Sequence, residues 1–316
     1  MKQGDSAFPK HFDGERFYNP GAPQALGFLD ALRWQFTSRP EPSPSFISDV
    51  QQSTPPSRVE GGELRITLVN HSTVLVQHRG SNILTDPIWS ERASPLSWIG
   101  PRRRRKPGVS WDHLPRVDVV LISHNHYDHL DLPTLRRLAA RGDSTFVVPV
   151  GVGRLLRSKN IGPAHELDWG QSLALPGFTI HSVPALHFSS RGIHDRNKTL
   201  WCGYVIEYPD RLVYFAADTA FGPHFAQIRE KYGSPSLALL PIGAYEPRWF
   251  MSPVHMGPDE AIRAHQILGA QTSIAIHHGT FKLADEGIDT PKRQLIALAR
   301  DQSFLVLDNG QFADIP

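Results

Sequence analysis

Four side chains able to bind a divalent metal stand within six residues: His124, His126, Asp128 and His129. Imidazole and carboxylate together suit zinc, and iron or manganese less selectively. Residues two apart at a strand end point the same way, so His124 and His126 can address one ion. Asp128 and His129 fall where the chain turns, close enough to address a second. A polar loop with incidental histidines is the plainer account, but four potential ligands directly after a buried strand argue against it. Three later positions also end strand-like runs: His187 after Ile180 to Pro184, Asp218 after Leu212 to Ala217, and His277 after Ser273 to Ile276. Carboxyl ends of strands are where open α/β sheets collect ligands. The count then suits two ions: His124, His126 and His187 on one, Asp128, His129 and His277 on the other, with Asp218 bridging. His278 competes with His277, because a slip of one residue reverses the facing side.

Strands must carry these residues. Val119, Val120, Leu121 and Ile122 run without alternation, as in a strand buried on both faces. Upstream, Leu64, Ile66 and Leu68 alternate with Arg65 and Thr67. Val74 and Val76 follow a turn at Asn70 to Ser72, and Arg79-Gly80 turns the chain into Asn82 to Asp86, giving a meander of antiparallel strands. Leu132, Leu135 and Leu138 lie on one face of a helix over Leu132 to Arg141, with Asp131 placed to cap it and Pro133 in its first turn. Thr145 to Val148, Phe178 to Val183, two runs within Gly203 to Ala217, Leu237 to Ile242 and Thr272 to Ile276 read as strands. Gly151 to Ser158, Pro258 to Leu268 and Thr290 to Arg300 read as helices. This order predicts an α+β fold of two mixed β-sheets packed face to face, with helices on the outer faces.

Residues 1–60 read as an N-terminal extension packed on the core, and residues 61–316 as the main domain. Phe8 to Pro20 has no clear period. Ala25 to Phe36 suits a short helix with Leu26, Leu29, Leu32 and Phe36 along one side. Arg39 to Pro56, with five prolines, reads as an irregular arm laid over the surface or a partner subunit. Such an arm could pair two copies as a homodimer. The net charge of +2 on 316 residues is too small to argue for nucleic acid, and no partner of that kind is expected. One cysteine, Cys202, excludes an internal disulfide. The N-terminus has no apolar core for a secretory signal, and no apolar stretch is long enough to span a bilayer. A cytoplasmic location is the expectation, with membrane contact at most peripheral.

The pattern His124-x-His126-x-Asp128-His129, followed by His187, Asp218 and His277, resembles the metallo-β-lactamase superfamily over roughly Glu63 to the C-terminus. It is most similar to the branch containing N-acyl-phosphatidylethanolamine-hydrolysing phospholipase D. The segments that carry this are His11 to Gly14 with Phe17-Tyr18-Asn19, Leu84-Thr85-Asp86-Pro87, Ser123 to Asp131, Ala216 to Thr219, Ile242 to Met251, and His277 to Phe281. The resemblance implies an αββα sandwich. Trp usually follows the metal histidine in the last motif, which aligns His277 as the ligand and leaves His278 as a departure. It implies too that His255, in Ser252 to Pro258, sits in the substrate pocket and binds a phosphoryl oxygen or protonates the leaving group. Several relatives are removed: Cys202 lies away from every motif, unlike the thiol ligand of the β-lactamases. The chain also lacks the flavin domain of the diiron relatives, the large insertion of the β-CASP nucleases and the Gly/Pro-rich arm of the tRNA-processing endonucleases.

The chemistry implied is hydrolysis by a hydroxide shared between two divalent ions, zinc first, manganese or iron as alternatives. Asp128 would orient that hydroxide as well as hold its ion. Asp86, just after a strand, can brace the far nitrogen of a metal-binding imidazole, although a turn aspartate before Pro87 is the simpler reading. Tyr245 and Arg248 could line the same pocket as His255. The loop from Pro87 to Pro115 carries Arg102 to Arg105 beside Trp89, Trp98, Ile99 and Trp111. It is either a solvated charged loop or an anchor for phosphate on substrate or an anionic membrane. The leading expectation is a phosphodiesterase of phospholipase D type on N-acyl-phosphatidylethanolamine or a related glycerophospholipid. The alternatives are a lactonase or small phosphate-ester hydrolase similar to the L-ascorbate-6-phosphate lactonases, and a non-catalytic metal-binding protein. An apolar groove beside the metals would favour the lipid enzyme, and a closed polar pocket the small-molecule one.

Overall fold

The computed structural model describes residues 10–299 and 303–316. Phe8 and Arg300, the ends of two segments drawn from the sequence, lie outside the described residues. One sheet holds β1 (Leu64–Asn70), β2 (Thr73–His78), β3 (Ser81–Thr85), β4 (Val119–Leu121), β5 (Thr145–Pro149), β6 (His165–Leu167) and the C-terminal β14 (Phe312–Ile315), in the order β14-β1-β2-β3-β4-β5-β6. The other holds β7 (Ser172–Leu175), β8 (Phe178–Val183), β9 (Gly203–Glu207), β10 (Leu212–Phe215), β11 (Leu237–Pro241), β12 (Thr272–Ile276) and β13 (Phe304–Leu305), in the order β13-β12-β11-β10-β9-β8-β7. Each sheet is half antiparallel meander and half parallel. Strands β3 to β6 run parallel, as do β10 to β13.

Three apolar layers explain why the strands read as continuous hydrophobic runs. Val119 and Leu121 point between the sheets, where they join Ile66, Val76, Ile83, Ile180, Ile206, Phe215, Leu239 and Ile276. Val120 and Ile122 point outward, beneath Leu135 and Leu138 of α2 (Leu132–Arg141) and Leu156 of α3 (Val152–Ser158). On the far side, Tyr214, Ala238, Leu240 and Ala275 face α4 (His224–Tyr232), α6 (Pro258–Leu268) and α7 (Thr290–Leu298). A strand covered on both faces has no solvent side to mark with polar residues. The arrangement is an α+β sandwich of two mixed sheets with helices outside, as expected.

Topology gathers the chemistry at one rim. β3, β4, β10 and β12 deliver their carboxyl ends there. β8 and β10 are both antiparallel to β9, so β8 points the same way. The β1–β2 turn reaches the same rim because β2 is antiparallel to β3.

Some local expectations change. Helix α1 (Phe28–Thr37) forms near the expected place, but none of its residues is buried, and Leu29 and Phe36 are 79% and 86% exposed. It is held instead by Trp34, which stacks on Phe250 of α5 (Arg248–Met251) at 5.1 Å and donates to Asp285 Oδ1 at 3.0 Å. Asp131 stands at the N-cap of α2 as expected, but its side chain makes no capping hydrogen bond. Its carboxylate instead accepts the Thr134 and Ser90 hydroxyls and the Trp89 and Ser90 amides. Asp131 thereby ties the loop after β3 to the loop after β4.

Candidate metal centre

Seven residues named from the sequence as ligands converge at the rim, all of them buried except His126, which is partly exposed. They form two nests. In the first, His126 Nδ1 stands 2.8 Å from His124 Nε2 and 3.2 Å from His187 Nε2. In the second, Asp128 Oδ2 lies 3.3 Å from His129 Nε2 and 3.4 Å from His277 Nε2. Asp218 Oδ2 stands 3.1 Å from both of those nitrogens and 3.8 Å from His187 Nε2, so it belongs to both nests. Tetrahedral ligands about 2.0–2.2 Å from a zinc ion are about 3.3–3.6 Å from one another. The Asp128 contacts of the second nest already have that spacing and its Asp218 contacts are slightly shorter, while the imidazole contacts of the first nest are contracted. His129 Nε2, His277 Nε2 and Asp218 Oδ1 are buried with no hydrogen-bond partner. Buried polar atoms without partners are costly, and this nitrogen and carboxylate set fits divalent cations.

Three of the rings are braced from the far side, those of His129, His124 and His187. Asp86 Oδ2 accepts His129 Nδ1–H at 2.7 Å and the Ser123 hydroxyl at 2.6 Å. That hydroxyl oxygen in turn accepts His124 Nδ1–H at 2.8 Å. One fully buried carboxylate thus orients a histidine of each nest, directly in one and through a serine in the other. His187 donates from Nδ1 to the Val254 carbonyl at 2.9 Å, which leaves Nε2 for the first nest. Arg191 Nη1 donates to the carbonyls of Asn125 and Leu130, both at 2.8 Å, and so holds the ligand loop from below. Asp86, Ala217, Ala244 and His277 all have positive φ without being glycine, at a strain of about 1–3 kcal/mol each. Gly243 is different in kind: a Cβ there would lie 2.1 Å from the His277 carbonyl oxygen, so only glycine lets the loop after β11 pass this close.

The nests differ electrostatically. Burial, with neighbouring imidazoles adding to it, lowers His124 well below the usual histidine range and His126 to about 3. Burial also lowers His187 to about 4 against the pull of Asp218. In the second nest burial acts the same way but is outweighed: Asp218 and Asp128 raise His129 well above its ordinary range and His277 to about 9. Asp128 and Asp218 resist burial through these same imidazoles and stay well below the usual carboxylate range.

A cavity of about 220 Å³ opens onto both nests. Its floor is His126, Asp128, Asp218, His255 and His277, and its walls are apolar, including Leu26, Trp34, Phe188, Phe250, Met251 and Leu283. His255 is in the position expected of a pocket histidine, with Nδ1 4.0 Å from Asp218 Oδ2 and no hydrogen-bond partner. Tyr245 and Arg248 are not in this pocket. The Tyr245 hydroxyl donates to Gln294 Oε1 at 2.8 Å and Arg248 pairs with Glu260 at 2.8 Å, so both turn toward α6 and α7. The arginine run is not a free basic patch either. Arg103 is 1% exposed and donates to the carbonyls of Ser90 and Ile88, while Arg105 bridges Asp49 and Asp289. These two guanidinium groups stitch loops together. His278 is buried facing away from the nests, which leaves the ligand position to His277. Sequence reasoning missed His71, whose Nε2 is 3.0 Å from Asp128 Oδ2. Its only signal was a histidine inside a two-residue turn.

Paired mixed sheets with a histidine–aspartate nest at one rim define a metal-dependent hydrolase of the metallo-β-lactamase fold. The chain belongs to the β-lactamase superfamily: residues 81–278 match its "Beta-lactamase superfamily domain". It is 38% identical over 263 residues to N-acyl-phosphatidylethanolamine-hydrolyzing phospholipase D 1 of Caenorhabditis elegans, covering 78% of this chain and 74% of that one. It is 29% identical to a metal-dependent hydrolase of Methanopyrus kandleri, over 78% of this chain and 98% of the other. The metallo hydrolase Igni18 of Ignicoccus hospitalis has the same fold, with a TM-score of 0.60 at 23% identity over 80% of this chain and 99% of that one.

Proposed function

We propose that the protein is a binuclear, zinc-dependent phosphodiesterase of phospholipase D type, acting on an N-acyl-phosphatidylethanolamine or a related glycerophospholipid. The observation that carries this reading is the apolar-walled cavity ending on the two nests. Acyl chains match such walls, whereas a lactonase for polar sugars would need hydrogen-bonding groups there. The likeness to the Caenorhabditis elegans phospholipase supports the same choice. His124, His126 and His187 would hold one ion, Asp128, His129 and His277 the other, with Asp218 between them. Divalent ions, when bound, lower the pKa of water toward neutrality and offset negative charge on a phosphoryl group. The chain's own part is positioning. The cavity walls exclude water and align the acyl region, and Asp128 fixes the geometry at the floor. Burial keeps His255 uncharged, so its ring can give or take a hydrogen bond at a phosphoryl oxygen or at the departing alcohol.

Peripheral contact with a bilayer belongs to this reading, through α1 rather than the arginine run. Phe28, Leu29 and Phe36 are exposed on the helix whose Trp34 walls the cavity. Among the described residues no helix is long and apolar enough to cross a membrane. The test is hydrolysis of N-acyl-phosphatidylethanolamine vesicles, with simple lactones and a soluble phosphodiester as competitors. Phosphatidate and N-acylethanolamine should appear, and a chelator should stop both. Turnover of lactones with none of the lipid would replace the reading.

A further inference from the structure

We propose that His71 is a positioning residue for Asp128, donating the hydrogen bond that fixes this carboxylate in the second nest without itself touching a metal. The inference rests on the metal-site reading above. His71 lies in the turn between β1 and β2, 57 residues from Asp128 in sequence and 1% exposed. Three imidazole nitrogens surround Asp128 Oδ2: His71 at 3.0 Å, His129 at 3.3 Å and His277 at 3.4 Å. Two of them, His129 and His277, also stand 3.1 Å from Asp218 Oδ2. His71 does not: among the described residues Asp128 is its one carboxylate within 4.0 Å. His71 is close enough to the His129 and His277 ligand atoms for these residues and Asp128 to hold one ion. It alone of the three imidazoles lacks a contact with the shared Asp218, however, and this separates a donor backing Asp128 from a ligand of the shared space.

The chemistry of the pair sets the proton. An ionised carboxylate oxygen only accepts, so His71 carries hydrogen on Nε2, which matches an Nδ1 left without a partner. Holding one lone pair of Oδ2 in this way limits rotation of the carboxylate, which is how residues behind metal ligands set affinity. The turn is itself locked to the loop that carries His277. His71 N–H donates to Thr280 Oγ1 at 3.0 Å, and its carbonyl accepts His277 N–H at 3.0 Å. The two rings lie 4.1 Å apart, and Phe281 meets His71 edge-on at 5.3 Å. His71 has φ +48°, a conformation that asparagine or glycine suits with less strain. Neither offers a ring that reaches Asp128.

The test uses the full chain and cobalt(II) as the probe, comparing wild type with His71→Leu and His71→Gln. Leucine fills the space without a donor, while the glutamine amide can place N–H where Nε2 lies. Competition with a chelator gives affinity, and the visible absorption of bound cobalt reports ligand geometry. His71→Leu should weaken one of the bound ions by about 10–100-fold and alter the spectrum, while His71→Gln should remain close to wild type in both. A His71→Leu variant that matches wild type in affinity and spectrum overturns the proposal. So does a His71→Gln spectrum showing a lost ligand, which would make His71 a ligand. Should His71→Leu fail to fold by circular dichroism, the glutamine variant decides: wild-type affinity and spectrum support the proposal, and loss of either overturns it. Wild-type chain that binds no cobalt would instead refute the metal site itself.

Discussion

The two nests use similar side chains and reach opposite charge states. His124, His126 and His187 crowd together away from most of the carboxylate charge, so burial keeps all three neutral. His129 and His277 are as deeply buried, yet Asp128 and Asp218 hold protons on them. A neutral imidazole presents a free lone pair to a cation, whereas a protonated one must first lose its proton. The first nest is thus ready for an ion near neutral pH. The second pairs a stronger field from two carboxylates with a proton competitor. Position in the fold cannot account for the difference, since both nests stand at strand ends on one rim. What differs is the placement of two aspartates.

Removing the group common to both nests gives the largest effect. Asp218→Ala should abolish metal binding at both and drop hydrolysis to background, measured by metal content and product release on the same sample. Retention of one ion in this variant would mean that the nests are more independent than their geometry implies. Asp86→Ala comes next and should separate them. His129 loses a direct partner, while His124 loses one relayed through Ser123. Affinity at the second nest should fall by about 10–100-fold, with a smaller loss at the first. Removing one member of a buried ionic cluster should also lower unfolding stability by about 3–5 kcal/mol. Equal weakening of both ions would count against the relay.

Acid should separate the nests without mutation. The folded-state pKa of His277 is raised to about 9. In the metal-free chain this proton therefore contributes stability that is complete below about pH 6.5 and lost as pH rises through about 9. An entering ion meets the reverse condition, because it must displace that proton at any pH below about 9. At His126 and His187, lowered to about 3 and 4, there is no proton to displace until far more acidic pH. Stepwise acidification of loaded protein should therefore release the second-nest ion first. Loss of both ions at one pH, or of the first-nest ion earlier, would contradict the charge difference between the nests.

How much could be read in advance follows the same division between local pattern and distant partner. The four ligands at His124 to His129 are adjacent in sequence, and the strand before them is marked by unbroken apolar residues because both its faces are covered. His187, Asp218 and His277 were legible because each follows closely on a strand-like run, although the run before His187 is interrupted by His181 and Ser182. His71 was not, since its meaning depends on Asp128 and a turn histidine has no local signature. Arg103 and Arg105 looked like a basic patch because Asp49 and Asp289 lie far off in sequence. Tyr245 and Arg248 follow a pocket loop closely, but their rotamers belong to Gln294 and Glu260. Strands β6 and β7 escaped notice because they are short and partly exposed at the sheet edges.

His255 faces the same two nests from the cavity side. It stands beside both nests, its ring 5.0 Å from that of His187 and 5.3 Å from that of His277, yet it makes no hydrogen bond through Nδ1. If it serves the substrate, His255→Ala should leave metal content intact and lower kcat by about 10²–10⁴-fold. If it helps to hold an ion with His187 and Asp218, metal content should fall along with kcat.

The smallest effect belongs to Ser123. Ser123→Ala removes only the hydroxyl between Asp86 and His124, and leaves the Asp86–His129 contact in place. A net hydrogen bond contributes about 0.5–1.5 kcal/mol, so the first-nest ion should bind roughly tenfold more weakly or less, with the second unchanged. The pattern opposite to Asp86→Ala is the informative result. If Ser123→Ala instead weakens the second nest, the hydroxyl acts by holding Asp86 in place, and the two nests are coupled through that carboxylate as well as through Asp218.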